Sequence, residues 1–526
     1  MRRTLPFSSP ARLTATALAV CLGAAGLASA EASSAEARSA GREAIDWRPC
    51  SAERHPELAE AGAECGYLAV PLDHANPQGQ TVEIAVSRIR ATADPDERRG
   101  ILLANPGGPG GPGLDYPLAL RPALGEVADR YDLIGFDPRF VGDSSPISCA
   151  PSDAVAAPPW GYPRTESGGG SHRELFEASV RAARELARRC GEPEGNAELL
   201  AHASSRNVAR DMDAIRAALG EATLSYYGVS YGADLGAVYT QLFPDRVDRI
   251  VLDSSTDPAL TQYELFQESG PPAEAGLDEW AAWAADRHDE YRLGRTAARV
   301  RAAVERLVAV AERRPIAIDG YRVDASQLRL ILRQFVQHEE NDPTLARVVR
   351  DLLDAAAGRD VDPDPALAAM LELLNSPELD EFFAVSAFTM CGDAGWPAGG
   401  WPADPETYWR ATQDSRATQP VFGPFANAIS PCPFWPAEPA EPGTTIDNDV
   451  PVLMLQALRD NNTPYSGGVA LHEALDGSRL LTADIRGHGV YARATDGNQP
   501  VPCADQAVNA YLAGGPLPES DLRCGE

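Results

Sequence analysis

The sequence predicts an α/β fold, a mostly parallel sheet with helices on both faces and a helical cap insertion. Three observations carry this. Strand and helix patterns alternate between residues 207 and 252, a helical texture fills 259–445, and strand signals return after it. At 526 residues the chain exceeds the usual domain of about 100 to 200 residues, so one large domain carrying an insertion, or two domains, is expected. With 44% hydrophobic and 23% charged residues the bulk is globular, which excludes disordered, collagen-like and coiled-coil classes.

Residues 1–30 have the layout of a signal peptide: Arg2, Arg3 and Arg12, an apolar stretch from Leu13 to Leu27, then Ala28, Ser29 and Ala30. That stretch falls short of the ~20 apolar residues a spanning helix needs, and nothing later reaches that length. No stable membrane association is therefore expected, and the chain reads as secreted and extracellular. Cys21, in Leu18-Ala19-Val20-Cys21, leaves lipid anchoring as an alternative. Residues 31–42 are Ala, Ser and Glu without periodicity, a flexible leader or pro-segment.

The first part of the core is expected over 43–258. Short runs rich in β-branched and aromatic residues predict strands at Tyr67–Leu72, Val82–Ile89, Ile101–Ala104 and Tyr131–Phe136. Asn207–Leu219 has helical spacing, Leu224–Tyr227 is a strand, Tyr231–Phe243 is a helix ended by Pro244, and Arg249–Leu252 is a strand. The cap, 259–445, holds helices at Thr296–Glu312, Ser326–Gln337, Thr344–Ala357 and Pro365–Leu374, then Pro- and Trp-rich sequence from Trp396 to Pro442 that reads as irregular loops. Strands at Val450–Gln456 and Arg479–Ile485 place the rest of the core in 446–526.

Acidic residues outnumber basic ones 76 to 46, and a net charge of −30 repels phosphate backbones, so nucleic acid is excluded as a partner. The chain has no lysine, which excludes Schiff-base chemistry and a P-loop lysine. Beyond Cys21, eight cysteines form an even set suited to an oxidising compartment. They fall in successive near pairs, which suggests Cys50–Cys65, Cys149–Cys190, Cys391–Cys432 and Cys503–Cys524. None is spaced as Cys-x-x-Cys, so no metal is expected, and nothing calls for a cofactor.

The chemistry concentrates after strand Leu224–Tyr227. Gly228-Val229-Ser230-Tyr231-Gly232 joins that strand to a helix, the context in which Gly-x-Ser-x-Gly forms a nucleophile elbow. A serine hydroxyl needs a base, and the base an acid to fix its tautomer. Of the histidines after Ser230, His288 and His338 fall on cap helices and read as solvated, and His472 on a surface helix. His488 lies in Gly487-His488-Gly489 at a strand's carboxyl end, where an imidazole reaches the site. Asp460 lies just past the preceding strand, whereas Asp484 is too near His488 in sequence to face it. Tyr231 N–H and Gly108 N–H, or its neighbour Gly107, are the expected oxyanion donors, Gly108 lying in the glycine-rich run Asn105–Gly113.

Trp47 with Cys50, Cys65–Asp73, Asn105–Gly113, Gly135-Phe136-Asp137-Pro138-Arg139, Gly228–Gly232, Asp460–Pro464 and His488 with the Cys503, Tyr511-Leu512 and Cys524 tail resemble the secreted tripeptidyl aminopeptidases of actinomycetes. These are prolyl-aminopeptidase-like serine α/β-hydrolases. The resemblance runs from about residue 45 to 526 and implies an exopeptidase that releases short peptides, typically tripeptides, from free N-termini under a helical cap. On it Ser230, Asp460 and His488 match the triad. Phe140 stands where a Gly commonly follows Asp-Pro-Arg, which is expected to change a pocket wall, and Asn461-Asn462 replace a Pro-x after the acid.

A carboxylesterase or lipase-like hydrolase of the same fold is the alternative, since fold does not fix substrate. A catalytically inactive binding protein is disfavoured by the intact triad positions. A peptidase for free N-termini needs carboxylates for the substrate ammonium, and Glu264, Glu268 and Asp393 are the candidates, although each taken singly reads as a solvated acid on a very acidic protein.

Overall fold

The structure is a computed structural model that describes residues 45–147, 149, 171–192, 196–393, 395, 397 and 399–525. The expected signal peptide and leader, and Trp396, lie outside the described residues. Ten strands in the described residues form one sheet. They are β1 (Arg48–Pro49), β2 (Glu64–Pro71), β3 (Thr81–Ile89), β4 (Ile101–Asn105), β5 (Asp132–Phe136), β6 (Leu224–Val229), β7 (Val247–Asp253), β10 (Val452–Ala457), β11 (Ser478–Ala483) and β12 (Leu522–Cys524), with the pair β8 (Ile316–Ile318) and β9 (Tyr321–Val323) apart in the cap. The order is β1-β2-β3-β5-β4-β6-β7-β10-β11-β12. From β5 through β12 the neighbours are parallel, while β1, β2 and β3 meet antiparallel and β3 joins β5 antiparallel.

The central strands read as continuous apolar runs because both faces are covered. Period-2 alternation still sorts their side chains. Ile101 and Leu103 join one core with Ile134, Ile250, Leu252, Val452 and Met454, while Leu102 and Ala104 join the opposite one with Leu133, Val251, Leu453 and Leu481.

The cap has its own core, built on Trp280, Val304, Leu307, Leu328, Leu332, Leu345 and Phe422. Its helices start where the sequence offers caps: Thr296 accepts from Arg299 N, and Asp324 closes a capping box with Gln327 ahead of Ala325–Val336. The expected irregular stretch is only partly so. Asp404 caps a helix at Pro405–Ser415 inside it, with proline at the first turn, where its missing N–H costs nothing. The hairpin β8–β9 also went unforeseen, although Asp319-Gly320 supplies the two positive-φ residues its turn needs.

Disulfides join Cys50 to Cys65, Cys149 to Cys190, Cys391 to Cys432 and Cys503 to Cys524. Phe140, expected to change a pocket wall, is buried. It packs into the sheet core with Val141 and Ile147, held at φ +70, a left-handed conformation that favours glycine. In the described residues no helix is long and apolar enough to cross a membrane.

Polar seams bind the cap to the core. Ser386 Oγ donates to Pro109 O at 2.6 Å, Asn461 Nδ2 to Val336 O at 3.2 Å and Arg493 Nη2 to Glu340 Oε1 at 2.7 Å, while buried Arg486 pairs with Asp342.

Candidate active site

Ser230 is the pivot between β6 and the helix Tyr231–Leu242. Its φ of +59 is one that few non-glycine residues adopt, and its own N–H donates to Asp253 O at 2.9 Å. The turn is that tight because Gly228 and Gly232 have no side chains. A Cβ on Gly228 would come within 2.2 Å of Gly232 O, and one on Gly232 within 2.5 Å of Asn105 O.

The Gly-rich run crosses directly over this turn. A Cβ on Gly107 would lie 2.4 Å from Val229 O and 3.1 Å from both Ser230 Cβ and Tyr231 N. Gly107 N–H already donates to Asn105 Oδ1 at 2.9 Å. Gly108 N–H is therefore the candidate in this loop, beside Tyr231 N–H in the first helical turn, where backbone donors lack intrahelical partners.

Asp460 and His488 meet beside the elbow. His488 Nδ1 lies 2.9 Å from Asp460 Oδ2, and Asp460 Oδ1 accepts from Asn462 N at 2.8 Å and Thr463 N at 2.9 Å, with Thr463 Oγ1 on Oδ2 at 3.0 Å. Burial lowers the His488 pKa, but the charge and hydrogen bond of Asp460 outweigh it, so the imidazole titrates above its usual range.

A carboxylate missed in the sequence fixes the histidine loop. Buried Asp253, ending β7, accepts from Val490 N, Tyr491 N, Tyr227 Oη and Ser254 Oγ, and Ser254 Oγ accepts from Gly489 N at 2.9 Å. Its pKa is raised by burial, against those donors. The available signal was an acid closing an apolar strand, Ile250-Val251-Leu252-Asp253. Asp137, after β5, does the same for the glycine loop. It accepts from Gly113 N, Leu114 N and Asp143 N, and burial pushes it up to about 6.

The other histidines divide. His472 is partly buried with Nδ1 2.6 Å from Ser478 Oγ, and His288 is partly exposed. His338 corrects the expectation of a solvated helical residue: it follows the helix Ala325–Val336 and lies against Gly487 and Arg493. Burial, then the charges of Arg493, His488 and Arg486, push it down to about 3, so it is neutral at working pH. Asp484 pairs with Arg459.

The three ammonium candidates part company. Glu264 closes a capping box with Thr261 on an exposed helix turn, and Glu268 is exposed. Asp393 instead pairs with Ser205 Oγ, which is 2.9 Å from Tyr231 Oη. A fourth acid, Asp234, sits one helical turn beyond Ser230, on the same face. It accepts from Thr256 N and Thr256 Oγ1 at 2.9 Å each, and burial raises it to about 7 against those bonds.

The fold and the match of residues 100–340 to the alpha/beta hydrolase fold family define the class, a serine hydrolase of α/β-hydrolase fold. Residues 419–524 match the TAP-like protein family. Over 506 residues the chain is 36% identical to a tripeptidyl aminopeptidase of Streptomyces lividans, covering 92% of this chain and 87% of the relative. It is 30% identical over 522 residues to serine protease Hip1 of Mycobacterium tuberculosis, covering 91% of each. It is also 30% identical over 492 residues to carboxylesterase B of Mycobacterium tuberculosis, covering 88% of this chain and 86% of that one. The chain belongs to the tripeptidyl aminopeptidase family of α/β-hydrolases.

Proposed function

We propose that the protein is a secreted serine exopeptidase that releases short peptides, tripeptides foremost, from free N-termini. The observation that carries this reading is Ser230 at φ +59 with the Asp460–His488 pair beside it. His488 Nε2 takes the proton of Ser230 Oγ as it attacks the scissile carbonyl, and Asp460 holds the tautomer and steadies the imidazolium. The oxyanion is received by Tyr231 N–H and Gly108 N–H, donors of a kind worth about 3 to 4 kcal/mol each in the transition state. His488 then protonates the leaving amine, and water resolves the acyl-enzyme by the reverse route.

The cap, proposed to span 259–445, covers the carboxyl ends of the strands and limits entry to chain ends. Asp393, with Asp234 near it, is the proposed receiver of the substrate ammonium. Glu264 and Glu268 are less suited, being exposed. Export agrees with four disulfides, which persist in oxidising compartments.

The relative named carboxylesterase B favours a second reading, ester hydrolysis at the same site. Rates on a free tripeptidyl arylamide, its N-acetylated form and a short-chain aryl ester separate the two. The peptidase reading expects acetylation to lower kcat/KM by at least about 10²-fold, the loss of one buried charge contact. Equal rates on blocked and free peptides, with faster ester turnover, would move the assignment to esterase.

A further inference from the structure

The cap helix Ala325–Val336 ends against the acid loop, where Asn461 Nδ2 donates to Val336 O. One turn back is Arg333. Its Nη1 is screened from solvent and has no acceptor among the described residues, and its guanidinium lies 5.7 Å from the ring centroid of Phe425. The residue as a whole is half-buried, so part of its side chain stays open to solvent. Asp460, the carboxylate whose charge acts on Arg333, has no capacity left for it, since Asn462 N, Thr463 N, Thr463 Oγ1 and His488 Nδ1 occupy its acceptor positions.

Other arginines of the cap and its seam are ion-paired: Arg329 with Glu312, Arg301 with Glu274, Arg486 with Asp342 and Arg493 with Glu340. Arg333 is different. A guanidinium N–H screened from water without an acceptor is unfavourable, and the planar fork suits a carboxylate above other anions of a peptide. At long range a chain of net charge −30 repels anions, so a local cation beside the Asp460–His488 pair selects for an acid only at contact.

We propose that Arg333 receives a carboxylate of the substrate and makes the site selective for peptides that present one there. This rests on the peptidase reading and adds to it a named specificity residue. The carboxylate is either the free α-carboxylate of a short leaving group or the side chain of an acidic residue beside the scissile bond, and the two are separable.

The test measures kcat and KM for wild type, Arg333→Gln and Arg333→Lys on two matched pairs: Ala-Ala-Ala-Ala against its C-terminal amide, and Ala-Ala-Glu-arylamide against Ala-Ala-Gln-arylamide. Wild type is expected to favour the carboxylate member of one pair by about tenfold or more, chiefly through KM. Arg333→Gln brings that ratio towards one and Arg333→Lys restores part of it. The first pair responding names the α-carboxylate, the second the side chain. A merely structural arginine would lower both members of each pair alike, and that result, or no wild-type preference in either pair, overturns the proposal. Should Arg333→Gln fail to fold, the wild-type ratios and Arg333→Lys still decide. If no peptide is cleaved, the peptidase reading fails by itself, and 4-nitrophenyl hemisuccinate against 4-nitrophenyl butyrate judges Arg333 by the same ratio.

Discussion

Asp460 Oδ2 accepts His488 Nδ1 at 2.9 Å while its own side chain is wholly buried and otherwise saturated by Asn462 and Thr463. The carboxylate thus has one function left, to orient the imidazole and stabilise its charged form.

That relationship sets the pH profile. Burial alone would lower His488, and Asp460 reverses the sign, so the folded value lies above the ordinary ~6.5. Catalysis needs the neutral base, so kcat/KM should fall as pH drops through that raised value. Asp460→Asn removes the charge, moves the inflection to lower pH and lowers kcat by about 10⁴-fold. The stability linkage has the opposite sense: the pair's contribution is complete below ~6.5 and is lost as pH rises through the folded value. A pH–rate series on both proteins checks the first part and thermal melts across pH the second.

Ser230→Ala should abolish labelling by a fluorophosphonate and cost several orders of magnitude in turnover, about 10⁶-fold by the usual behaviour of such nucleophiles, without changing the melting temperature much. Peptide mapping of the labelled wild type should place the adduct on Ser230.

Gly107→Ala is expected to lower kcat by about 10²-fold or more. The new Cβ would press on Val229 O at 2.4 Å, at a φ of +85, and displace the loop that carries Gly108 from the elbow. Steady-state kinetics should find the loss mainly in kcat.

Asp253→Ala strips the acceptor from Val490 N, Tyr491 N and Tyr227 Oη. Each buried donor left unsatisfied costs about 1 to 3 kcal/mol, so melting should drop by several degrees. Because Asp253 acts through the His488 loop, kcat should fall more than KM rises.

Non-reducing mass spectrometry should find Cys391 linked to Cys432 and no free thiol among the eight cysteines beyond Cys21. Removing that bridge, which spans 41 residues, should destabilise the fold by about 2 to 4 kcal/mol in a denaturant titration.

The elbow was legible because Gly228, Ser230 and Gly232 obey a local rule, backbone crowding at a strand-to-helix turn, and local rules survive in sequence. Strand positions were legible for a similar reason, and β4, β6, β7, β10 and β11 fall within two residues of where the apolar runs put them. His338 and Arg333 were not legible. Their surroundings come from the acid and histidine loops, more than a hundred residues away in the chain, and helical periodicity says only which face is polar. Asp253 and Asp234 escaped for a different reason: an acid at a strand end or in a first helical turn reads as ordinary capping, and burial alone reveals its partners. Glu264 is the converse, a candidate by its position in the sequence that closes a helix cap.

The central claim is release of short peptides from a free N-terminus, and product analysis tests it most directly. An unblocked nine-residue peptide, incubated with the protein and followed by mass spectrometry, should yield its N-terminal tripeptide and the complementary hexapeptide first, with the next tripeptide later. The same peptide acetylated at its N-terminus should persist. Internal cleavage of the acetylated peptide, or release of single residues from the free one, would contradict the account.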